Sequence, residues 1–188
     1  MMSASAARNH SKFSTTLAMF AAVFLFLSAS LDRADAQQKD SASSLRPQHR
    51  AVVEKWLAGR PQLRLASEND CVNKDGLAVT RNEQGRNYDP YYAVGDFNGD
   101  GKEDFVVAFV KKRKSKWPFT VAIFNGPLKS NSVPAFTTDD DLSSGGIFYR
   151  PKNKPREGRL IVGVFESDDC VILRPRGRTY LVKDCLED

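Results

Sequence analysis

Histidine and cysteine are scarce in this sequence: the 188-residue chain contains two histidines and three cysteines. So few histidines exclude a metal centre built from several imidazoles, and a Ser-His-Asp hydrolase would have very few candidate bases. The excess of positive charge is also small, +5 overall, which is less than a dedicated nucleic-acid-binding protein carries. The chain does have the 41% hydrophobic content and the length of one ordinary globular domain with a packed core.

The first 36 residues have the order of a secretory signal peptide. Two basic residues precede an apolar run at 17–27, and a small-x-small cleavage sequence follows at 34–36. The run is shorter than the roughly 20 apolar residues of a membrane-spanning helix. We therefore expect a secreted or periplasmic protein without a transmembrane anchor after cleavage, in which 37–46 is a flexible lead and 47–188 a single domain. Removal of the leader also removes His10 and leaves His49.

Export places Cys71, Cys170 and Cys185 in an oxidising compartment, where disulfides persist. An odd number allows at most one internal bridge. Cys170 and Cys185 flank two strand-like runs, and a hairpin turning at residues 177–178 would set them opposite each other, which favours this pair. A bridge from Cys71 to either one stays open. A three-cysteine zinc site is disfavoured because the spacings contain no C-x-x-C pair.

Hydrophobic periodicity predicts one amphipathic helix and several strands. The helix covers 47–58, where apolar residues recur at helical intervals, and Trp56 is expected in its buried face. Residues 62–90 are mostly polar and receive no assignment, while 125–145, with two prolines and three consecutive aspartates, is predicted to be a loop. The predicted strands are 91–97, 105–111, 119–124, 146–150, 160–166, 171–174 and 179–183.

The runs FVVAFV, FTVAIF and LIVGVF are apolar almost throughout, which indicates cover on both faces of a sheet. We expect the helix on one face and loops or a second sheet on the other. Short connections favour antiparallel neighbours, because a parallel crossover needs a dozen or more residues. The sequence thus predicts an α+β fold: a mostly antiparallel β-sheet with one N-terminal helix and a β-hairpin loop that binds an ion.

The ion-binding prediction rests on GDFNGDGKEDF, residues 95–105. Four residues of this segment, Asp96, Asn98, Asp100 and Asp104, carry oxygen side chains, and Lys102 offers its backbone carbonyl. These five residues are the candidate ligands. Calcium prefers six to eight oxygen ligands, which a tight glycine-containing loop can direct inward. An EF-hand is excluded, because Val107 occupies the position of the bidentate glutamate and the flanks are strand-like.

This segment resembles the calcium loop of the FG-GAP and VCBS repeat families, D-x-[DN]-x-D-G-x-x-D between two β-strands. The resemblance covers residues 91–111. It implies calcium bound by Asp96, Asn98, Asp100, the Lys102 carbonyl and Asp104. The families build propellers from several blades, whereas this chain has one such motif.

Other polar groups are weaker candidates. The run 111–117, KKRKSKW, places five cations beside a tryptophan and is expected to be a solvated loop, or else a contact with an anionic cell-surface polymer or membrane. The acids at 139–141 and at Glu166, Asp168 and Asp169 could hold a second ion or form a carboxylate pair for glycoside hydrolysis. His49 is expected to be solvated rather than to act as a base.

These observations favour an exported, non-catalytic binding module that uses calcium structurally. Its partner would be an extracellular or envelope protein or a glycan, and not a nucleic acid. The alternatives are a small secreted hydrolase with an acidic pair near residues 166–169, and an inhibitor of an extracellular enzyme.

Overall fold

In the computed structural model, residues 44–150 and 158–187 are described. The predicted signal peptide and residues 37–43 of the predicted lead lie outside them. The end of that lead is packed: Leu45 is buried, and the Ser44 hydroxyl donates a hydrogen bond to Asp89. Within the described ranges, none of the helices combines the length and the apolar character needed to cross a bilayer.

Two antiparallel sheets and two α-helices make up the described fold. Helix α1 spans Pro47–Leu57 and α2 spans Lys74–Gln84, with 3-10 turns at Glu68–Asp70 and Cys185–Glu187. The first sheet contains β1 (Leu63–Leu65), β2 (Tyr92–Gly95), β3 (Asp104–Lys111), β4 (Phe119–Phe124) and β5 (Phe136–Asp140). The second contains β6 (Gly145–Arg150), β7 (Arg159–Val164), β8 (Cys170–Arg176) and β9 (Thr179–Asp184). The mostly antiparallel β-structure predicted from the sequence is confirmed.

Strand β3 is the centre of the first sheet. It pairs with β4 along one edge, and with both β1 and β2 along the other, so that the order is β1-β3-β4-β5 with β2 beside β3. Successive side chains of a strand point to opposite faces. Phe105, Val107 and Phe109 therefore face α1, while Val106 and Ala108 face the second sheet.

Helix α1 covers one face of the first sheet. Val52, Val53 and Trp56 are buried there, and the Trp56 ring lies 4.8 Å from that of Phe109. The second sheet covers the other face, with Leu160 among its buried contributors. The continuous apolar runs of β3 and β4 are thus explained by cover on both faces. In β7 the cover is less complete, since Ile161 and Val164 are only half-buried.

Two segments, 62–90 and 125–145, differ from the sequence predictions, and β1 lies in the first of them. Helix α2 lies in the unassigned segment 62–90; the Asn73 side chain caps it by accepting a hydrogen bond from the Gly76 amide at 2.9 Å. The predicted loop 125–145 is wrong at residues 136–140, because β5 forms there and pairs with β4. An edge strand tolerates polar side chains on its open face, so threonines and aspartates suffice for this strand.

The hairpin β8–β9 turns at residues 177–178, and Cys170 and Cys185 form a disulfide across it with a Cα–Cα distance of 5.5 Å. The favoured pairing is confirmed. Cys71 is a free, buried thiol, and burial raises its pKa. Because two of the three cysteines form the disulfide, both a bridge from Cys71 and a three-cysteine zinc site are excluded.

Candidate metal centre: the acidic loop between β2 and β3

The acidic loop, residues 96–104, connects β2 to β3 in an antiparallel hairpin closed by the pair Gly95 and Asp104. Gly99 and Gly101 have φ angles of 75° and 79°. This left-handed region is open to glycine at no steric cost and disfavours other side chains, so both glycines are needed for the turn.

The side chain of Asp96 organises the turn. Its carboxylate accepts hydrogen bonds from the amides of Gly99 (2.7 Å), Asp100 (3.0 Å) and Gly101 (2.8 Å). Aspartate and asparagine commonly fold a turn by bonding to nearby backbone N–H groups in this way. Asp96 therefore holds the three residues that follow Asn98 in a tight turn.

Asn98 and Asp100 continue this pattern along the loop. The Asn98 Oδ1 atom accepts from the Asp100 amide at 2.9 Å, and the Asp100 Oδ1 atom accepts from the Lys102 amide at 2.9 Å. The second oxygen of Asp100 lies 3.6 Å from the Lys102 ammonium. The side chains of Asp96, Asn98 and Asp100 thus all contact the backbone of their own loop.

Asp104 is fully buried, at 0% exposure, and connects the loop to the rest of the sheet. Its Oδ2 atom accepts from the Phe97 amide at 2.9 Å and the Asn98 amide at 3.3 Å, and its Oδ1 atom accepts from the Gly126 amide at 2.8 Å. Burial raises the pKa of Asp104, although these amides oppose the shift. Asp104 thereby joins the β2–β3 loop to the segment after β4.

Tyr149 of β6 places the second sheet against the loop. Its hydroxyl donates to the backbone carbonyl of Asp96 at 3.1 Å, and its ring lies 4.9 Å from that of Phe97. The ring occupies the space above Gly95, where a Cβ atom would come within 2.2 Å of it. The absence of a side chain at position 95 therefore admits the ring.

Tyr180 of β9 contacts the same region. Its hydroxyl donates to Asn125 Oδ1 at 2.9 Å, and burial is the main cause that raises its pKa, followed by the charges of Asp104 and Asp96. Sequence reasoning missed both tyrosines. The sequence placed both tyrosines in strand-like runs, but it could not predict a contact such as that of Tyr149 with Asp96, 53 residues away.

The acidic loop provides oxygen donors of the kinds that a calcium ion requires. Carboxylate, amide and carbonyl oxygens are the ligands that calcium prefers, and a carboxylate has about four lone-pair positions. Asp96 and Asp104 each accept three amide bonds, and Asp100 accepts one. The chemistry of the set therefore fits a hard cation, with oxygen capacity left on each carboxylate.

The present arrangement of these acids is that of an amide-bonded turn. In residues 44–150 and 158–187, no group of three or more histidine, cysteine, aspartate or glutamate side chains is placed to share one metal ion. The oxygens of Asp104 in particular point to backbone N–H groups on both sides of it. Ion binding would have to use the remaining lone pairs of side chains already held by the backbone.

His49 lies next to the loop and is buried, with 1% exposure, so the expectation that it is solvated is wrong. Its Nδ1 atom lies 2.7 Å from the Tyr92 hydroxyl, and its Nε2 atom lies 3.4 Å from Glu103, which also pairs with Arg46. The imidazole stacks on Phe105 with ring centres 4.3 Å apart. Burial is the main cause that lowers its pKa below 6.5. His49 thus connects α1 to the acidic loop.

Parts of the two other acidic clusters share one cavity. Asp140 and Asp141 line a cavity of about 300 Å³ together with Asp169 and Trp117. Burial raises the pKa of Asp140, and the charges of Asp141 and Asp169 add to the shift. Glu166 and Asp168 lie on a different cavity, of about 380 Å³. The Asp139 carboxylate is held by the Thr120 hydroxyl at 2.7 Å and the Lys111 ammonium at 2.6 Å.

No family model, curated protein or solved structure matches the chain. The resemblance to the FG-GAP and VCBS calcium loop therefore remains one carried by residues 91–111 alone.

Proposed function

We propose that the chain is an exported, non-catalytic binding module whose acidic loop takes one calcium ion for structural stability. The observation that carries the proposal is the loop itself: Asp96, Asp100 and Asp104 bring three negative charges into one hairpin turn, and the Lys102 ammonium lies 3.6 Å from the Asp100 carboxylate. Converging carboxylates repel one another, so a divalent cation would relieve the turn of most of its charge.

The residues that would hold the ion are Asp96, Asn98, Asp100, the carbonyl of Lys102 and Asp104. When bound, calcium supplies only charge compensation and cross-linking, with no chemistry on a substrate. The chain's own residues prepare the turn for it: the amide bonds to Asp96 and Asp104 fix those carboxylates before any ligand arrives.

A structural role follows from where the loop is attached. Asp104 bonds to the segment after β4, Tyr149 bonds the loop to the second sheet, and His49 contacts the neighbouring Glu103 from α1. An ion that binds the folded loop and not the unfolded chain raises the free energy of unfolding of the domain by mass action. The remaining surface would serve an extracellular or envelope protein or a glycan.

The non-catalytic part of the proposal is supported by His49. This imidazole is buried and both its nitrogens face protein groups, so it is not placed to act as a base on a substrate.

Thermal unfolding with calcium and with chelator tests the proposal. At a calcium concentration 100 times Kd, binding adds about 2.7 kcal/mol, and at about 2–4 °C per kcal/mol for a domain of this size we expect Tm to rise by about 5–10 °C. Asp100→Ala removes an oxygen ligand, so its Tm should rise by less than about 1 °C under the same conditions.

Asp168→Ala is the matched control, because this aspartate is exposed and lies outside the acidic loop. Its calcium-dependent rise should equal that of the unaltered chain. A full rise in the Asp100→Ala variant, or no heat of calcium binding by titration calorimetry on the unaltered chain, would contradict the proposal.

A further inference from the structure

The loop between β3 and β4, at the opposite end of β3 from the acidic loop, forms a basic tip (residues 112–117). Four of its six side chains are cationic: Lys112, Arg113, Lys114 and Lys116. All four are exposed, and in the part of the chain that the structure describes none of them lies within 4.0 Å of a carboxylate. Their charges are therefore available to a partner.

Lys111, which precedes the tip, differs from these four cations because its charge is paired within the sheet. Its ammonium lies 2.6 Å from the Asp139 carboxylate and its side chain is 24% exposed, so it is part of the sheet. Asp139 of β5 is thus used by the strand and not by the tip, while Asp140 and Asp141 lie on the cavity that Trp117 also lines.

Trp117 gives the tip an apolar component. Its side chain is 44% exposed, whereas the other tryptophan, Trp56, is 8% exposed and packed in the core. The Lys116 ammonium lies 4.8 Å from the centre of the Trp117 ring, so a cation and an aromatic ring are presented side by side. An exposed tryptophan among cations is typical of protein surfaces that rest on the headgroups of a bilayer, where the amphipathic ring sits between water and acyl chains.

We propose that the basic tip docks the protein on a bilayer that contains anionic lipids. The cations contact phosphate groups, and Trp117 enters the headgroup layer. A hairpin loop that carries four exposed cations and one exposed aromatic ring has the charge and the amphipathic group that an anionic headgroup layer would contact. Each basic residue near an anionic bilayer raises affinity about fivefold, so the four together provide a gain of about 100-fold or more.

Co-sedimentation with lipid vesicles tests this on the full chain. Vesicles of phosphatidylglycerol and phosphatidylcholine are compared with vesicles of phosphatidylcholine alone, because the apolar run at 17–27 can bind both kinds and the tip only the anionic kind. We expect a preference for anionic vesicles of about 100-fold, which falls at least tenfold when salt is raised from about 0.05 to 0.5 M.

The test variant carries Lys112→Gln, Arg113→Gln, Lys114→Gln and Lys116→Gln. The matched control carries Lys55→Gln, Arg86→Gln, Lys129→Gln and Arg178→Gln, four exposed cations elsewhere, and so has the same net charge. We expect the first variant to lose most of the anionic preference and the control to keep it within about threefold. Equal losses in the two variants would overturn the proposal, since general charge would then explain binding.

Tryptophan fluorescence gives an independent readout. Emission should shift to shorter wavelength when anionic vesicles are added, and Trp117→Phe should abolish the shift while Trp56 still reports the core. Two results would overturn the proposal: an unchanged shift in that variant, or retention of the unaltered chain by sulfated dextran without any preference for anionic vesicles.

Discussion

The two ends of β3 are both polar, but their polar groups are engaged in opposite ways. At the start of the strand, the carboxylates of Asp96 and Asp104 accept hydrogen bonds from backbone amides of the same protein. At the other end, the cations of the basic tip are exposed, and among the described residues the carboxylate pairing at this end is that of Lys111, which precedes the tip, with Asp139. Groups that satisfy the backbone belong to the fold, whereas groups that contact only solvent contribute little to stability and remain free for a partner.

The largest expected effect lies at the acidic end. Asp104→Ala leaves the amides of Phe97, Asn98 and Gly126 without their acceptor in a buried site, so we expect the free energy of unfolding to fall by about 3 kcal/mol. Asp104→Asn, which keeps one oxygen, should lose less. Urea denaturation measures the difference through the midpoint.

The exposed Asp168 again provides the control, since Asp168→Ala should change stability by no more than about 0.5 kcal/mol. If Asp104→Ala lost less than about 1 kcal/mol, the amide bonds would not be what distinguishes this end of the strand.

A smaller effect is expected from His49, which contacts Glu103 beside the acidic loop. Because burial lowers its pKa in the folded state, the unfolded chain binds the proton more readily. The stability that depends on neutral His49 is therefore complete above pH of about 6.5 and is lost as the pH falls through the folded-state pKa. His49→Phe, which keeps a ring against Phe105, should reduce the fall in stability between pH 7.5 and 5.5.

Urea midpoints at several pH values for both proteins check this result. The titration of carboxylates is common to the two chains and cancels in the comparison. Parallel curves for the two chains would mean that the environment of His49 does not favour the neutral ring.

The smallest effects are expected at the basic end. Lys111→Met should cost about 0.5 kcal/mol, because its ion pair with Asp139 is partly exposed. Lys112→Gln, at an exposed residue, should stay within about 0.5 kcal/mol of zero. A loss above about 1.5 kcal/mol for Lys112→Gln would remove the contrast between the two ends of β3. Thermal melts of the two variants measured side by side provide the check.

Local pattern was sufficient where it agrees with the tertiary structure. The apolar runs of β3 and β4 predicted both strands and their two-sided cover, and the spacing of Cys170 and Cys185 around one turn predicted their bridge. In the acidic loop, alternate oxygen side chains and the two glycines predicted a tight turn, which is present.

The elements that sequence reasoning missed depend on distant contacts or weak patterns. Helix α2 contains Gly76 and few apolar residues, and only the cap at Asn73 marks its start. The burial of His49 depends on Tyr92, 43 residues away. In the acidic loop, the engagement of Asp104 by the Gly126 amide, 22 residues further on, is likewise invisible to spacing alone.

The length of β3 sets a distance between these two ends. Its eight residues span about 24 Å at roughly 3.4 Å per residue. Electrostatic potential decays over a Debye length of about 8 Å at physiological salt, so an anionic plane touching residues 112–117 lies about three decay lengths from Asp104. Cations that accumulate beside such a plane would not raise the cation concentration at the acidic loop. The loop would instead be exposed to the cation concentration of the bulk medium.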